Sequence, residues 1–183
     1  MRKVVLYQLV SLDGVAEAPA TFVDWDDDLD ANLESVISTQ DAVILGRRSY
    51  EEWAAYWPTS DIEPFATFIN GVTKYVATSS PLEREWKDAS AIDGDLAEFV
   101  RGLKESPGGD IGVHASISVA QSLLAAGDVD ELQLVVAPVL AGAGRRLFQG
   151  LPRIRLELVR SAASAKGSLV AEYRPIPADD PAV

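Results

Sequence analysis

Apolar residues in this chain fall into two patterns that alternate along its length. Short unbroken runs, of the kind a strand buried on both faces produces, occupy 3–9, 42–45, 74–77, 111–114 and 132–139, with a weaker one at 89–92. Between them stand segments with apolar residues at helical spacing. These are Leu29, Leu33, Val36 and Ile37; Phe65, Phe68 and Ile69 behind Pro64; Leu96, Phe99, Val100 and Leu103; and 119–126, which Gly127 ends. The segment 56–59 reads as loop. Two last strands, around 156–161 and 168–174, pair through Lys166-Gly167 as a hairpin. Strands alternating with helices predict a three-layer α/β/α architecture. Its sheet is mostly parallel and mixed, ending in a C-terminal antiparallel hairpin. Residues 1–175 read as one domain without repeat or linker, and the Pro- and Asp-rich 176–183 as a flexible tail.

Chemistry concentrates where these strands end. In 41–53, DAVILGRRSYEEW, the apolar run stops at Gly46, and Ser49 is placed to cap a helix that carries Glu51 and Glu52 in its first turn. Arg47 and Arg48 stand at the mouth of that helix. A strand leading through glycine into a helix N-terminus presents unpaired N–H groups to an anion, and arginine suits phosphate. Two exposed arginines in an ordinary turn are the competing account. Thr78-Ser79-Ser80 follow the next strand, as plain turn chemistry or as a phosphate or ribose site. Ala115-Ser116-Ile117-Ser118 follow the strand at 111–114. Ligands of such sheets bind beyond the carboxyl ends of strands, so 46–49, 78–80 and 115–118 should share one rim.

Charge sharpens this picture. Sixteen basic against 28 acidic residues give a net charge of −12, which argues against nucleic acid or an anionic membrane as partner. A phosphate ligand must then rely on local cations. The chain has no cysteine, hence no disulfide, thiolate nucleophile or zinc–thiolate site, and its one histidine rules out a His-rich metal site. The N-terminus imitates a signal peptide, but its apolar run is broken by Gln8 and ends before Asp13. A cytoplasmic protein is expected, with no segment long enough to cross a bilayer.

The acidic stretch from Asp24 fails as a calcium loop, because its sixth and twelfth positions hold Leu29 and Ser35 where Gly and Glu are needed. It reads instead as a helix N-terminus favoured by the dipole. Asp30 lies about 20° around that helix from Ile37, at the border of its buried face. A half-buried carboxylate there is a candidate proton donor or substrate anchor; a solvated flank residue is the alternative. Gly142-Ala143-Gly144 is not a dinucleotide fingerprint, since Leu147 replaces its third glycine. His114, Trp53 and Trp86 read as core or rim.

Several short motifs occur in a fixed order: Ser11-Leu12-Asp13-Gly14, Leu45-Gly46-Arg47-Arg48-Ser49-Tyr50, Tyr75-Val76-Ala77-Thr78-Ser79 and Val129-Asp130-Glu131-Leu132. Pro138-Val139-Leu140-Ala141-Gly142-Ala143-Gly144 and Leu147-Phe148 follow them. Together they resemble the dihydrofolate reductase-like family, in the branch that holds the reductase domain of the bifunctional riboflavin-biosynthesis deaminase–reductase. The resemblance covers nearly the whole chain. No deaminase domain precedes it, so a stand-alone reductase domain is expected.

The resemblance implies NADPH along the rim. Gly46, Arg47, Arg48 and Ser49 match the segment at the cofactor phosphates, with Ser49 where Thr is usual. Thr78, Ser79 and Ser80 match the segment beside the adenosine 2′-phosphate. Ala115, Ser116, Ile117, Ser118 and Val119 match the turn and helix start at the pyrophosphate, with Ala115 where relatives usually carry Gly. Asp30 falls at the spacing where dihydrofolate reductases keep their catalytic acid. Leu12, Asp13, Gly14 and Trp53 are assigned to the substrate. The implied activity is hydride transfer to a C=N or C=O group of a small pterin- or pyrimidine-like heterocycle. The alternatives are a NADP(H)-binding protein without turnover, and a fold used only for assembly. A homodimer is also expected, from related domains that associate and from the apolar surface of Leu132, Leu134, Val136 and Val139 with the terminal hairpin.

Overall fold

In the computed structural model, which describes residues 1–177, the first apolar run becomes the strand β1 (Val4–Ser11). Seven more strands join it in one sheet: β2 (Gln40–Gly46), β3 (Thr73–Ala77), β4 (Ala89–Ala91), β5 (Asp110–His114), β6 (Glu131–Ala137), β7 (Arg155–Ala163) and β8 (Leu169–Ile176). The spatial order is β4-β3-β2-β5-β1-β6-β8-β7. All pairings from β4 through β6 are parallel, while β8 runs antiparallel to both β6 and β7. The carboxyl ends of β3, β2, β5 and β1 therefore open on the same side.

Five helices cover the sheet: α1 (Asp27–Ile37), α2 (Arg47–Tyr56), α3 (Phe65–Gly71), α4 (Leu96–Glu105) and α5 (Ile117–Ala126). Successive strand residues point to opposite faces, and the core divides accordingly. Val4, Leu6, Ile44 and Val113 pack under α4 and α5, whereas Val5, Tyr7, Val43 and Leu45 pack under α1, α2 and α3. The predicted stripe Leu29, Leu33, Val36 and Ile37 is the buried face of α1, each residue at most 8% exposed. Burying such a side chain stabilises by about 1.5–3 kcal/mol, enough to seat α1 against the sheet and set Asp30 at its border.

Local corrections follow from how the chain enters its helices. Gly46 is extended (φ −83°, ψ 157°) and is itself the N-cap of α2. Ser49 therefore lies inside the first turn rather than capping it. Helix α2 runs on through Tyr56 into a short 3-10 turn at Trp57–Thr59, where loop was expected. Helix α5 begins at Ile117, ahead of the predicted 119. The expected tail from 176 starts inside β8, which ends at Ile176; 178–183 lie outside the described residues. Leu132 and Leu134, expected as surplus apolar surface, are 1% and 6% exposed beneath the molecule's own helices. Val139 and the terminal hairpin, the other parts of that expectation, do expose apolar surface, at Val139, Leu156, Leu158, Val159 and Leu169. Among the described residues no helix is long and apolar enough to cross a membrane.

Candidate active site

Beyond the carboxyl ends of β2, β5 and β1 lies a cleft of about 1270 Å³. A second hollow of about 690 Å³, lined by 77–81 and 91–94, continues it past the end of β3. Gly46, Arg47, Arg48, Ser49, Ala115, Ser116, Ile117, Ser118, Val119, Asp30 and Trp53 line the cleft, and Thr78, Ser79 and Ser80 line the hollow.

One part of the cleft is built from two helix starts. Helices α1 and α4, which begin elsewhere, are capped by aspartates: Asp26 accepts from Leu29 N–H, and Asp95 from Ala97 and Glu98 N–H. Helices α2 and α5 have no side-chain cap among the described residues. Their N-terminal residues line the cleft, which sets the positive end of each helix dipole beside it, an arrangement that favours an anion.

The turn before α5 is strained. Ala115 and Ser116 both have positive φ, 53° and 42°, which costs a non-glycine residue on the order of 1–3 kcal/mol. Three hydrogen bonds hold it. The Gln8 amide donates to Ala115 O at 2.5 Å, Ser116 N–H donates to Ser49 Oγ at 3.2 Å, and Gly46 N–H donates to Ser116 Oγ at 2.8 Å. Ser49 thus ties the two turns together, a role that no cap would have had. A Cβ on Gly46 would stand 3.4 Å from Val119 Cγ2 and 3.6 Å from Ser116 Oγ, ordinary contact distances, and its backbone is extended, so a larger residue there would fill the gap between the two turns.

The cations are occupied. Arg47 pairs with Glu83 at 2.6 Å, and Arg48 with Glu52 at 3.1 Å. Exposed pairs of this kind contribute roughly 0–1 kcal/mol, less than the 1.5–3 kcal/mol of a hydrogen bond to a charged group, so a phosphate competes well for either arginine. Arg145 donates to Ser118 Oγ at 2.9 Å, at the same end. Thr78 forms a closed turn, its hydroxyl bonded to Ser80 O at 3.0 Å and accepting from Ser80 N–H at 3.2 Å.

Another part of the cleft is aromatic. Trp53, Trp57 and Phe65 meet edge to face, with centroids 4.8–6.0 Å apart. Asp30 is half-buried and accepts the Trp25 indole N–H at 2.5 Å. The Tyr7 ring forms part of the floor beside His114. Burial holds the His114 pKa down at about 3, so the ring is neutral, and its Nε2 lies 2.8 Å from Gln40 Oε1. Gly112 leaves room for that bond; a Cβ there would overlap the Gln40 side chain. The only histidine is therefore a packing residue and not a proton carrier near neutral pH.

Leu12, Asp13 and Gly14 do not line the cleft. They form a turn that clasps the loop after β6: the Asp13 carboxylate accepts from Ser11 Oγ and from Ala141 and Gly142 N–H, and pairs with Arg146. The Ser11 hydroxyl above all, then the Ala141 N–H, bring its pKa down to about 2. Gly14 has φ 82°, which only glycine adopts cheaply. Sequence reasoning missed Tyr7, Trp25, Trp57 and Phe65. Trp25, directly before the capping Asp26, was the one with a local signal.

Comparison with known proteins agrees with this architecture. A putative riboflavin biosynthesis protein from Shewanella sp. PV-4 superposes with a TM-score of 0.76 at 16% identity, covering 96% of this chain and 99% of that one. Dihydrofolate reductase from Enterococcus faecalis, complexed with NADP(H), superposes with a TM-score of 0.66 at 14% identity, over 96% and 97%. The fold is dihydrofolate reductase-like. In sequence the chain is 29% identical over 178 residues to the uncharacterized protein YyaP of Bacillus subtilis, covering 94% of each. Residues 2–170 match the RibD C-terminal domain, and the chain belongs to that family.

Proposed function

We propose that this protein is an NADPH-dependent reductase that passes hydride to a C=N or C=O group of a small pterin- or pyrimidine-like heterocycle. One observation carries the reading: two uncapped helix N-termini, α2 and α5, open into the same cleft as an aromatic chamber that holds a carboxylate. The polar end suits the cofactor's phosphates, and the 690 Å³ hollow beside Thr78, Ser79 and Ser80 suits its adenosine end. NADPH, when bound, supplies the hydride. The N–H groups at the starts of α2 and α5 would hold the phosphates, Arg47 would exchange Glu83 for them, and Trp53, Trp57 and Phe65 would keep water from the chamber. Asp30, oriented by the Trp25 indole, holds or relays the proton that accompanies reduction.

A second reading, cofactor binding without turnover, is favoured by the strained Ala115-Ser116 turn. Substrate-dependent loss of NADPH absorbance across a panel of pterins, pyrimidines and quinones separates the two. NADPH binding with no consumption by any of them supports the second. No binding of either nicotinamide cofactor overturns both. We extend the reading to a cytoplasmic homodimer, supported by the exposed apolar residues of the terminal hairpin and the outermost position of β7. Light scattering at micromolar concentration should give twice the chain mass, and a monomer alone rejects it.

A further inference from the structure

We propose that Lys166, at the tip of the terminal hairpin, is a positioning residue for the chamber: it fixes Trp25 and, through the Trp25 indole, the carboxylate of Asp30. This rests on the reductase reading for what Asp30 does, but the positioning itself is read without any substrate. The turn between β7 and β8 is closed on itself. Ser164 N–H donates to Ser168 O at 2.8 Å, Gly167 N–H to Ser164 O at 2.9 Å, and Ser168 N–H to Ser164 Oγ at 3.2 Å.

This closed tip grips the entry to α1, which lies 137 to 141 residues earlier in the chain. Ala165 N–H donates to Asp28 Oδ2, Lys166 N–H to Asp26 Oδ2, and Lys166 Nζ to Trp25 O, each at 2.8 Å. The other oxygen of Asp26 caps α1 at Leu29 N–H. Partial burial works to raise the Asp26 pKa, but the Lys166 N–H, the Ser164 hydroxyl, the Leu29 N–H and the Lys166 charge outweigh it and bring the carboxyl below its ordinary range. The grip is therefore charge-assisted near neutral pH. The next contact leads into the chamber, where the Trp25 indole N–H donates to Asp30 Oδ1 at 2.5 Å. Among the described residues that indole is the one hydrogen-bond partner of the Asp30 carboxylate. Trp25 stands before α1, outside its hydrogen-bond ladder, so the Lys166 ammonium supplies what the helix does not. Trp25 and Val170 of β8 also pack against the same buried cluster, the one that holds Leu29 and Leu33.

The test compares the full chain with Lys166→Met and Lys166→Arg. Methionine keeps most of the side chain's length and removes its donor, while the backbone bonds to Asp26 and Asp28 remain, so the fold is kept. Arginine can again donate to Trp25 O. The first readout is the nitrogen-15 resonance of the Trp25 indole, identified by its loss in Trp25→Phe, together with its hydrogen-exchange rate. Lys166→Met should displace the resonance and speed exchange at least roughly threefold, and Lys166→Arg should restore both. The second readout is turnover of whichever panel compound is reduced. There kcat should fall roughly three- to thirtyfold, within what a small misplacement costs, with KM for NADPH unchanged and arginine again restoring it. An unmoved indole overturns the proposal, as does an unaltered kcat or a loss of kcat that arginine fails to restore. Should Lys166→Met not fold, Lys166→Gln takes its place. A displaced indole with no compound reduced even by the unaltered protein counts against the reductase reading alone.

Discussion

Replacing Ala115 with glycine separates two effects that the strained turn combines. The first is stability. Ala115 sits at φ 53°, and relief of that strain is worth on the order of 1–3 kcal/mol. Glycine returns about 0.5–1 kcal/mol of this through the greater freedom of the unfolded chain. A net gain of roughly 0.5–2 kcal/mol remains, and at about 2–4 °C per kcal/mol for a chain of this length the Tm should rise by a few degrees. The second effect is affinity. Strain present both with and without ligand cancels from a binding constant, so under the proposed reading any tighter NADPH binding must come from removing a methyl group that would crowd the phosphates. Differential scanning calorimetry reads the first effect and titration calorimetry the second. A lower Tm would refute the strain account, since Gln8, Ser49 and Ser116 would then be holding a turn that alanine prefers. A raised Tm with unchanged NADPH affinity would show that the Ala115 methyl does not crowd the cofactor.

Other consequences are as direct. NADPH should bind more tightly than NADH, and Arg47→Ala should weaken NADPH selectively by about 1.5–3 kcal/mol, while Glu83→Gln, which releases the arginine, should tighten it; equal affinity of the unaltered protein for both cofactors would refute this. Asp30→Asn should lower turnover by roughly 10²–10⁴-fold with NADPH affinity nearly unchanged, and unaltered turnover would return Asp30 to the role of a helix-flank residue. Because the His114 pKa is about 3 in the folded chain against about 6.5 for a free imidazole, the unfolded chain takes up that proton first as pH falls. Stability from this group is complete above 6.5 and declines below it, by at most about 1.4 kcal/mol per pH unit. Urea unfolding between pH 7 and 4 should show this slope and His114→Gln should flatten it; an unchanged slope would mean that other groups govern the acid limb.

The parallel order of the sheet and the position of its rim were legible because they follow from periodicity. Buried strands read as apolar runs, and a helix shows its inner face at every third and fourth residue, as 29–37 does. The start of α2 was misread for a local reason. Ser49 is a good cap by residue type, but an extended Gly46 supplied the turn first, which left Ser49 to bind the neighbouring strand's turn. The chamber was hard to see because it is assembled across the chain. Tyr7 comes from β1, Trp25 from the loop before α1, and Trp57 and Phe65 from either side of a short turn. No spacing announces that these meet. Asp13 shows the converse: a residue prominent in a motif turned out to clasp a loop, since two backbone N–H groups within reach of a carboxylate are a structural use as complete as any ligand.

The latch between Gly46 and Ser116 has a thermodynamic consequence. It brings together two helix ends that each carry about half a positive charge, so the fold holds like charges against one another at the place where a cofactor would enter. An anion seated between them gains attraction from both ends and also cancels their mutual repulsion. Ligand affinity and conformational stability are then linked functions of one electrostatic spot, and occupancy stabilises the native chain in proportion to RT ln(1 + [L]/Kd). An anion bound at this pair of turns would therefore register as a rise in the melting temperature of the α/β layer built upon it.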